Sequence, residues 1–429
     1  MNIKKIAKLN LDKLVELGAE KASVWVNRNF RSELQKEFNG IDLFRDVDAI
    51  EIELRVINDD REGSHSYAYS GEDDIGINAR KVMKIASESN QDKAFAMAEN
   101  QHFQNKYGIE TANPDKMYDL LAEFDQERQK IYPQITDTTS IVFNREEVCY
   151  LNNLNSEVEY SNGFYEILSL LSATQDGKHS SINFVVESCT ELPESIMGIK
   201  NFKLKYDDVV WQMEQEEFKD KFVGDVIINP LSLASIIGNL SGEIEGLSLV
   251  EKTSLFQDKL NQKIFDEKLS ILGSPDYPQL VNKNIINREG YLNREDFIIE
   301  KGILKNFIVS EYVANRSEFE VNTVANGNMI ISPGQDKLED MIKSIKKGIL
   351  INRLSFGRPN KNKDFSAVVK TSYYIENGEI KYPINEVMIS ANLVDMLNNI
   401  QAISQERDGS MGSILLPWMK ISGVNISGK

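Results

Sequence analysis

Tyr373-Tyr374-Ile375-Glu376-Asn377-Gly378-Glu379-Ile380-Lys381-Tyr382 holds two β-rich runs around an Asn-Gly pair. Both central positions of a tight hairpin need positive φ, and Asn-Gly tolerates it. The second half of the chain therefore carries antiparallel sheet. Upstream, the apolar strand Asp225-Val226-Ile227-Ile228 runs into Asn229-Pro230. Asn as a helix cap followed by Pro at the first helical position predicts a helix over Leu231–Leu240, stopping near Gly242. Downstream, a short helix is expected over Asn392–Ile400 and a last strand over 413–421. The continuous apolar run Ile414-Leu415-Leu416 predicts that this strand is buried on both faces and central in its sheet.

The first half mixes the same elements. Leu11, Leu14, Val15 and Leu17 predict an opening helix from Ile6 to Leu17, with Gly18 as its stop. Alternating runs over Ala22–Val26, Arg31–Phe38, Gly40–Phe44 and Ile50–Val56 read as antiparallel strands with one buried face. Residues 73–86 read as a helix, 88–115 as a polar connector, and Pro114 opens a further helix that reaches Ile131. Strands are expected again at Ile141–Phe143, Val148–Leu151, Val158–Tyr160 and Ser181–Val186. A helix around Asp207–Lys221 closes this half. The class is α+β: a mixed N-terminal α/β domain, residues 1–220, and a C-terminal domain, residues 221–429, rich in antiparallel strands with flanking helices.

The 429 residues carry a formal net charge of −17. That balance argues against sequence-independent binding of nucleic acid, which needs a basic footprint. Lys343, Lys346 and Lys347 read as one solvated helix face. No apolar run is long enough for a spanning helix or a secretory leader. Cys149 and Cys189 cannot form a disulfide framework, and the chain reads as cytoplasmic, with no membrane partner.

Phosphate-cradling loops and the G-x-S-x-G nucleophile elbow are absent. Ser344-Ile345-Lys346-Lys347 matches S-x-x-K, a pattern short enough to arise by chance in a lysine-rich helix. The three histidines, His65, His102 and His179, all lie in the first half. None has a second histidine at helical spacing, the usual presentation of a catalytic zinc site. Glu243 and Glu245 follow the capped helix in a segment that reads as a solvated loop. Pattern alone ends at an α+β protein with no autonomous catalytic centre.

Three stretches carry a resemblance. Asp364-Phe365-Ser366, then Tyr374-Ile375-Glu376-Asn377-Gly378-Glu379-Ile380-Lys381-Tyr382-Pro383-Ile384, then Ile389-Ser390-Ala391-Asn392-Leu393-Val394-Asp395-Met396-Leu397 resembles the C-terminal signature of the TldD/PmbA family. The ending Gly412-Ser413-Ile414-Leu415-Leu416-Pro417-Trp418-Met419-Lys420-Ile421 looks PmbA-like, and Arg61-Glu62-Gly63-Ser64 is a looser N-terminal match. In this family the TldD-type subunit carries His-Glu-x-x-x-His on the helix that corresponds to Pro230–Gly242, and a later cysteine completes its metal site. The matching positions here are Gly238, Asn239, Glu243 and Met411. Both histidines, the general-base glutamate and the thiolate are missing, which resembles the PmbA/TldE side of the family.

The resemblance implies a non-catalytic PmbA/TldE-like subunit with no cofactor of its own, paired with a TldD-type subunit that holds zinc. Such heterodimers enclose a cavity, cleave unfolded or small peptides, mature peptide antibiotics and degrade antitoxins. Pseudo-symmetry between related subunits would then turn 238–253 toward the shared cavity, with Glu243 and Glu245 as peptide contacts. The older family name, modulator of DNA gyrase, finds no physical support for DNA contact in this acidic chain. Two alternatives stay open, a self-sufficient homodimeric peptidase and a peptide-binding scaffold without cleavage.

Overall fold

The structure, a computed structural model, describes residues 2–37 and 40–428. The expected strand end at Phe38 lies outside the described residues. The chain opens with α1 (Ile3–Glu16), whose N-cap Asn2 accepts from the Lys5 amide; Gly18 follows it at φ +88°. Two long strands, β1 (Lys21–Glu37) and β2 (Gly40–Asn58), form a hairpin that β3 (Arg61–Ala68) extends. Then come α2 (Asp73–Glu88), β4 (His102–Gly108) and α3 (Pro114–Ile131). The region is completed by β5 (Ile135–Asn152), β6 (Glu157–Gln175), β7 (Lys178–His179), β8 (Asn183–Cys189) and α4 (Lys200–Trp211).

These strands make one sheet in the order β3-β2-β1-β5-β6-β4, with β8 along the far half of β6. Several expectations are corrected here. The four short runs before residue 57 are two long strands, and so are the three between Ile141 and Tyr160. The polar connector contains β4, an edge strand parallel to β6. The helix expected at 207–221 is α4, which starts at Lys200 and ends at Trp211; Lys221 already belongs to a strand.

Side chains alternate across a strand, so each face of the sheet has its own neighbours. Ala22, Val24 and Val26 of β1 enter a core with α1 and α2, and Leu34 joins a second core beneath α3 and α4. Trp25 points the other way, edge-on to Tyr150 at 5.7 Å, where Ile285 and Ile286 of the second region cover them. One face of the sheet is thus dressed by helices. The other looks at the second half of the chain.

That half starts with β9 (Lys221–Ile228), α5 (Pro230–Ser241) and α6 (Leu247–Val250). Short strands β10 (Ile271–Gly273), β11 (Asp296–Glu300) and β12 (Ile303–Leu304) precede α7 (Glu311–Arg316) and β13 (Met329–Ile331). After α8 (Leu338–Lys343) come β14 (Lys347–Ile351), β15 (Arg353–Phe356), β16 (Asp364–Lys370), β17 (Ser372–Glu376), β18 (Glu379–Ile384) and β19 (Val387–Asn392). Helix α9 (Leu393–Asn398), β20 (Ile400–Asp408) and β21 (Ile414–Ser427) close the chain. The three lysines do not share one helix face: Lys343 ends α8, while Lys347 is in β14 and ion-pairs with Asp220.

β21 is the hub of this second sheet, pairing with β9, β13, β19 and β20. Leu416, Met419 and Ile421 are fully buried in it, so the central position expected from the apolar run is observed. The β17–β18 turn has Asn377 at φ 51° and Gly378 at φ 79°, the two positive values that the Asn-Gly pair supplies. The fold class is α+β.

Candidate functional site

Helix α5 is set by its own first turn. Asn229 Oδ1 accepts from the Ser232 amide at 2.9 Å, and Pro230 occupies the first helical position. Leu233, Ile236, Ile237 and Leu240 are buried, which orients the helix and leaves Gly238 on its open side. A Cβ built on Gly238 would meet nothing within 4 Å.

Gly238, Asn239, Glu243 and Met411, the positions that the resemblance sets against the family's metal motif, have these surroundings. Asn239 folds its amide back onto the Ser235 carbonyl at 2.7 Å. The Glu243 carboxylate sits 2.6 Å from the Lys363 ammonium and accepts the Leu255 amide at 2.7 Å. The same ammonium also reaches the Asn239 carbonyl near the C-terminal end of α5, where a cation is favourable. Met411 lies exposed in the loop before β21. Next to it Gly412 has φ +76°, and a Cβ there would come 2.8 Å from the Val281 side chain. Among the described residues no group of three or more His, Cys, Asp or Glu side chains is placed to hold a metal ion. A glycine, a back-bonded amide, a salt-bridged carboxylate and a thioether do not fit zinc.

The three histidines do not converge there either. His65 Nε2 is 2.9 Å from Asn78 Oδ1 between β3 and α2. His102 and His179 are exposed at strand ends. Ser344, of the S-x-x-K match, accepts from Lys420 at 2.8 Å and donates to the Met341 carbonyl, and Lys420 also faces Asp225 at 3.3 Å.

A cleft of about 610 Å³ lies between the helix-free face of the first sheet and the second region. Its walls include Arg55 and Glu62 from β2 and β3, Arg288 and Glu289 from the loop before β11, and Glu245, Tyr312 and Asn326. Glu245 is fixed by its backbone, which bridges to Ile308, and its carboxylate accepts from the Asn326 amide at 2.9 Å. Glu243 is not among the lining residues, so of the two expected peptide contacts only Glu245 borders the cleft.

The other charged walls are engaged. Glu62 accepts from Arg55, while buried Glu289 accepts the Glu311 and Tyr312 amides at 2.7 and 3.0 Å. The Tyr312 hydroxyl and Arg316 both reach Asp92 of the first region. Asp92 is held below the ordinary carboxylate value by the Ala94 amide, then by Tyr312 and Arg316, against the opposing effect of desolvation. Burial pushes the Tyr150 hydroxyl up from its usual range. A second, contiguous cavity of about 210 Å³ opens at the end of α5, with Gly238, Glu245 and Asn326 at its rim and apolar walls. Of the lining residues, Glu62, Gly238 and Glu245 fall in stretches that carried the resemblance; Arg55, Arg288, Glu289, Tyr312 and Asn326 come from separate segments that share no local motif.

Known proteins decide the family. Residues 222–428 match the model of the PmbA/TldA metallopeptidase C-terminal domain. The chain belongs to the TldD/PmbA family. A metalloprotease PmbA homolog of Buchnera aphidicola is 30% identical over 195 residues, 43% of each chain, so the match spans less than half of that relative. A metalloprotease PmbA homolog of Haemophilus influenzae is 24% identical over 321 residues, 72% of this chain and 70% of that one. The TldE structure from Thermococcus kodakarensis shares the fold, with a TM-score of 0.86 at 19% identity over 99% of this chain and 100% of that one. Among the described residues no helix is long and apolar enough to cross a membrane.

Proposed function

We propose that this TldD/PmbA family protein is a non-catalytic, PmbA/TldE-like subunit. It completes the peptide cavity of a cytoplasmic TldD-type metallopeptidase, whose partner subunit supplies the zinc and the His-Glu-x-x-x-His helix. The observation that carries the reading is the state of the motif corner. Glu243, the one carboxylate at a motif position, is neutralised by Lys363 and bonded to the Leu255 amide, so it is committed to structure. The adjoining cleft nevertheless remains open and is lined by charged, amide and apolar side chains, with Glu245 on its wall.

In that arrangement the chain's residues bind and orient a small or unfolded peptide but move no proton. Main-chain hydrogen bonds to exposed backbone groups would give low sequence selectivity, as in strand addition. Glu245 would attract the peptide's cationic end. Co-purification with a chain carrying His-Glu-x-x-x-His tests the pairing. A stable complex is the expected result; a chain that stays alone at micromolar concentrations of both subunits would contradict it.

A further inference from the structure

We infer that the apolar pocket at the C-terminal end of α5 receives the first side chain of a peptide whose amino group is held by Glu245. The inference rests on the peptide-binding reading above and adds a substrate class to it: peptides with a free amino end and an apolar first residue.

The pocket, about 210 Å³, is walled by Phe265, Ile271, Ile299, Met329 and Leu397 and has room for one side chain. Water gains little from such walls, so an apolar group that displaces it is favoured. Glu245, Ile308 and Asn326 border both this pocket and the 610 Å³ cleft, so a ligand in the cleft has direct access to the pocket. Among the described residues the carboxylate of Glu245 has a neutral partner, the Asn326 amide, and no ion pair. The neighbouring Glu62 and Glu289 are already bonded to Arg55 and to two backbone amides. Glu245, with a single hydrogen bond, is the least committed of the three and is the one that borders both cavities. A cation and an apolar side chain that must sit on adjacent walls are best supplied by one atom, the Cα that bears both the α-amine and the first side chain.

Gly238 supplies the test, because it rims the pocket on the open side of α5 and a Cβ there meets nothing within 4 Å. Gly238→Phe adds a ring at the pocket wall. Asp48→Ala, which breaks an exposed pair with Arg28, serves as control. Calorimetric titration of the full chain would use Leu-Gly-Gly, Gly-Gly-Gly and N-acetyl-Leu-Gly-Gly. Leu-Gly-Gly should bind roughly tenfold or more tightly than Gly-Gly-Gly. Acetylation, Glu245→Gln and Gly238→Phe should each weaken Leu-Gly-Gly, while Asp48→Ala, at a residue that lines neither cavity, should bind like the wild type. Equal affinity for Leu-Gly-Gly and Gly-Gly-Gly, or no binding of either, overturns the inference on the unaltered chain, whatever the Phe variant does. The subunit reading is judged separately, by complex formation with the metal-bearing chain.

Discussion

Glu243 and Lys363 form an ion pair at 2.6 Å in which each side chain is only about one-seventh exposed, 13% and 14%. The pair ties the end of α5 to the turn before β16, and Glu243 also holds the Leu255 amide. Glu243→Gln should therefore cost about 1.5–3 kcal/mol of folding stability, the range for hydrogen bonds to charged groups. Glu245→Gln, which loses a single bond to an exposed amide, should cost less than about 0.5 kcal/mol. Urea unfolding of the two variants checks this; an equal loss in both would mean that the pair is not what fixes the corner.

Lys36 and Asp137 are fully enclosed, 2.9 Å apart, and Asp125 and Arg128 complete the group at 3.1 Å contacts. Removing one partner strands a charge in the core, so Asp137→Ala should cost about 3–5 kcal/mol. Asp48→Ala, which breaks an exposed pair with Arg28, should cost less than about 1 kcal/mol. Burial acts to raise the Asp125 carboxyl, but Lys36, Gln129 and Arg128 outweigh it and hold the group below its ordinary 3.8. A depressed carboxyl stabilises the fold above the unfolded value and loses that contribution as pH falls through the folded one. Acid unfolding should accordingly set in below about pH 4, and Asp125→Asn should flatten that limb of the stability profile.

Burial, then Glu159, pushes the Cys149 thiol up to about 12, and burial with Glu187 pushes Cys189 up to about 11. Thiolate is the reactive form, so neither should react readily with a disulfide reagent at pH 8 in the folded protein. Both should react at once in denaturant. The raised values also mean that folding favours the protonated thiols, a contribution intact below about 9 and lost as pH rises through 11 and 12.

Removal of residues 413–429 deletes the strand that β9, β13, β19 and β20 all pair with. The truncated chain should be insoluble or show no cooperative thermal transition. A soluble, cooperatively melting product would contradict the hub role of β21.

Local chemistry made much of this fold legible. Asn229-Pro230 starts α5, Asn377-Gly378 turns β17 into β18, and Gly18 follows α1, each because one residue type satisfies a backbone demand. Long strands were harder to read, because polar residues interrupt the apolar pattern without ending the strand. Asn27 and Arg28 look like a break in β1, yet Asn27 bonds Glu146 on β5 and Arg28 pairs with Asp48 on β2. β4 has almost no buried face, so nothing in His102–Gly108 marks it except its partner β6. The helix-bounded corner at Glu243 and Glu245 was visible from the family motif, but which carboxylate faces the cleft was not. That depends on Lys363, more than a hundred residues later in the chain. The cleft itself is assembled across the two halves by Arg55, Arg288 and Tyr312, whose proximity no local pattern encodes.

In the proposed division of labour, this chain shapes a peptide cavity and a partner does the chemistry. The most direct measurement is peptide hydrolysis by the chain alone, by a TldD-type partner alone and by the mixture, each with and without a zinc chelator. No turnover is expected from this chain alone; the mixture should show chelator-sensitive turnover that persists with Glu245→Gln at altered peptide preference. Chelator-sensitive hydrolysis by the isolated chain, with about one zinc bound per chain, would contradict it.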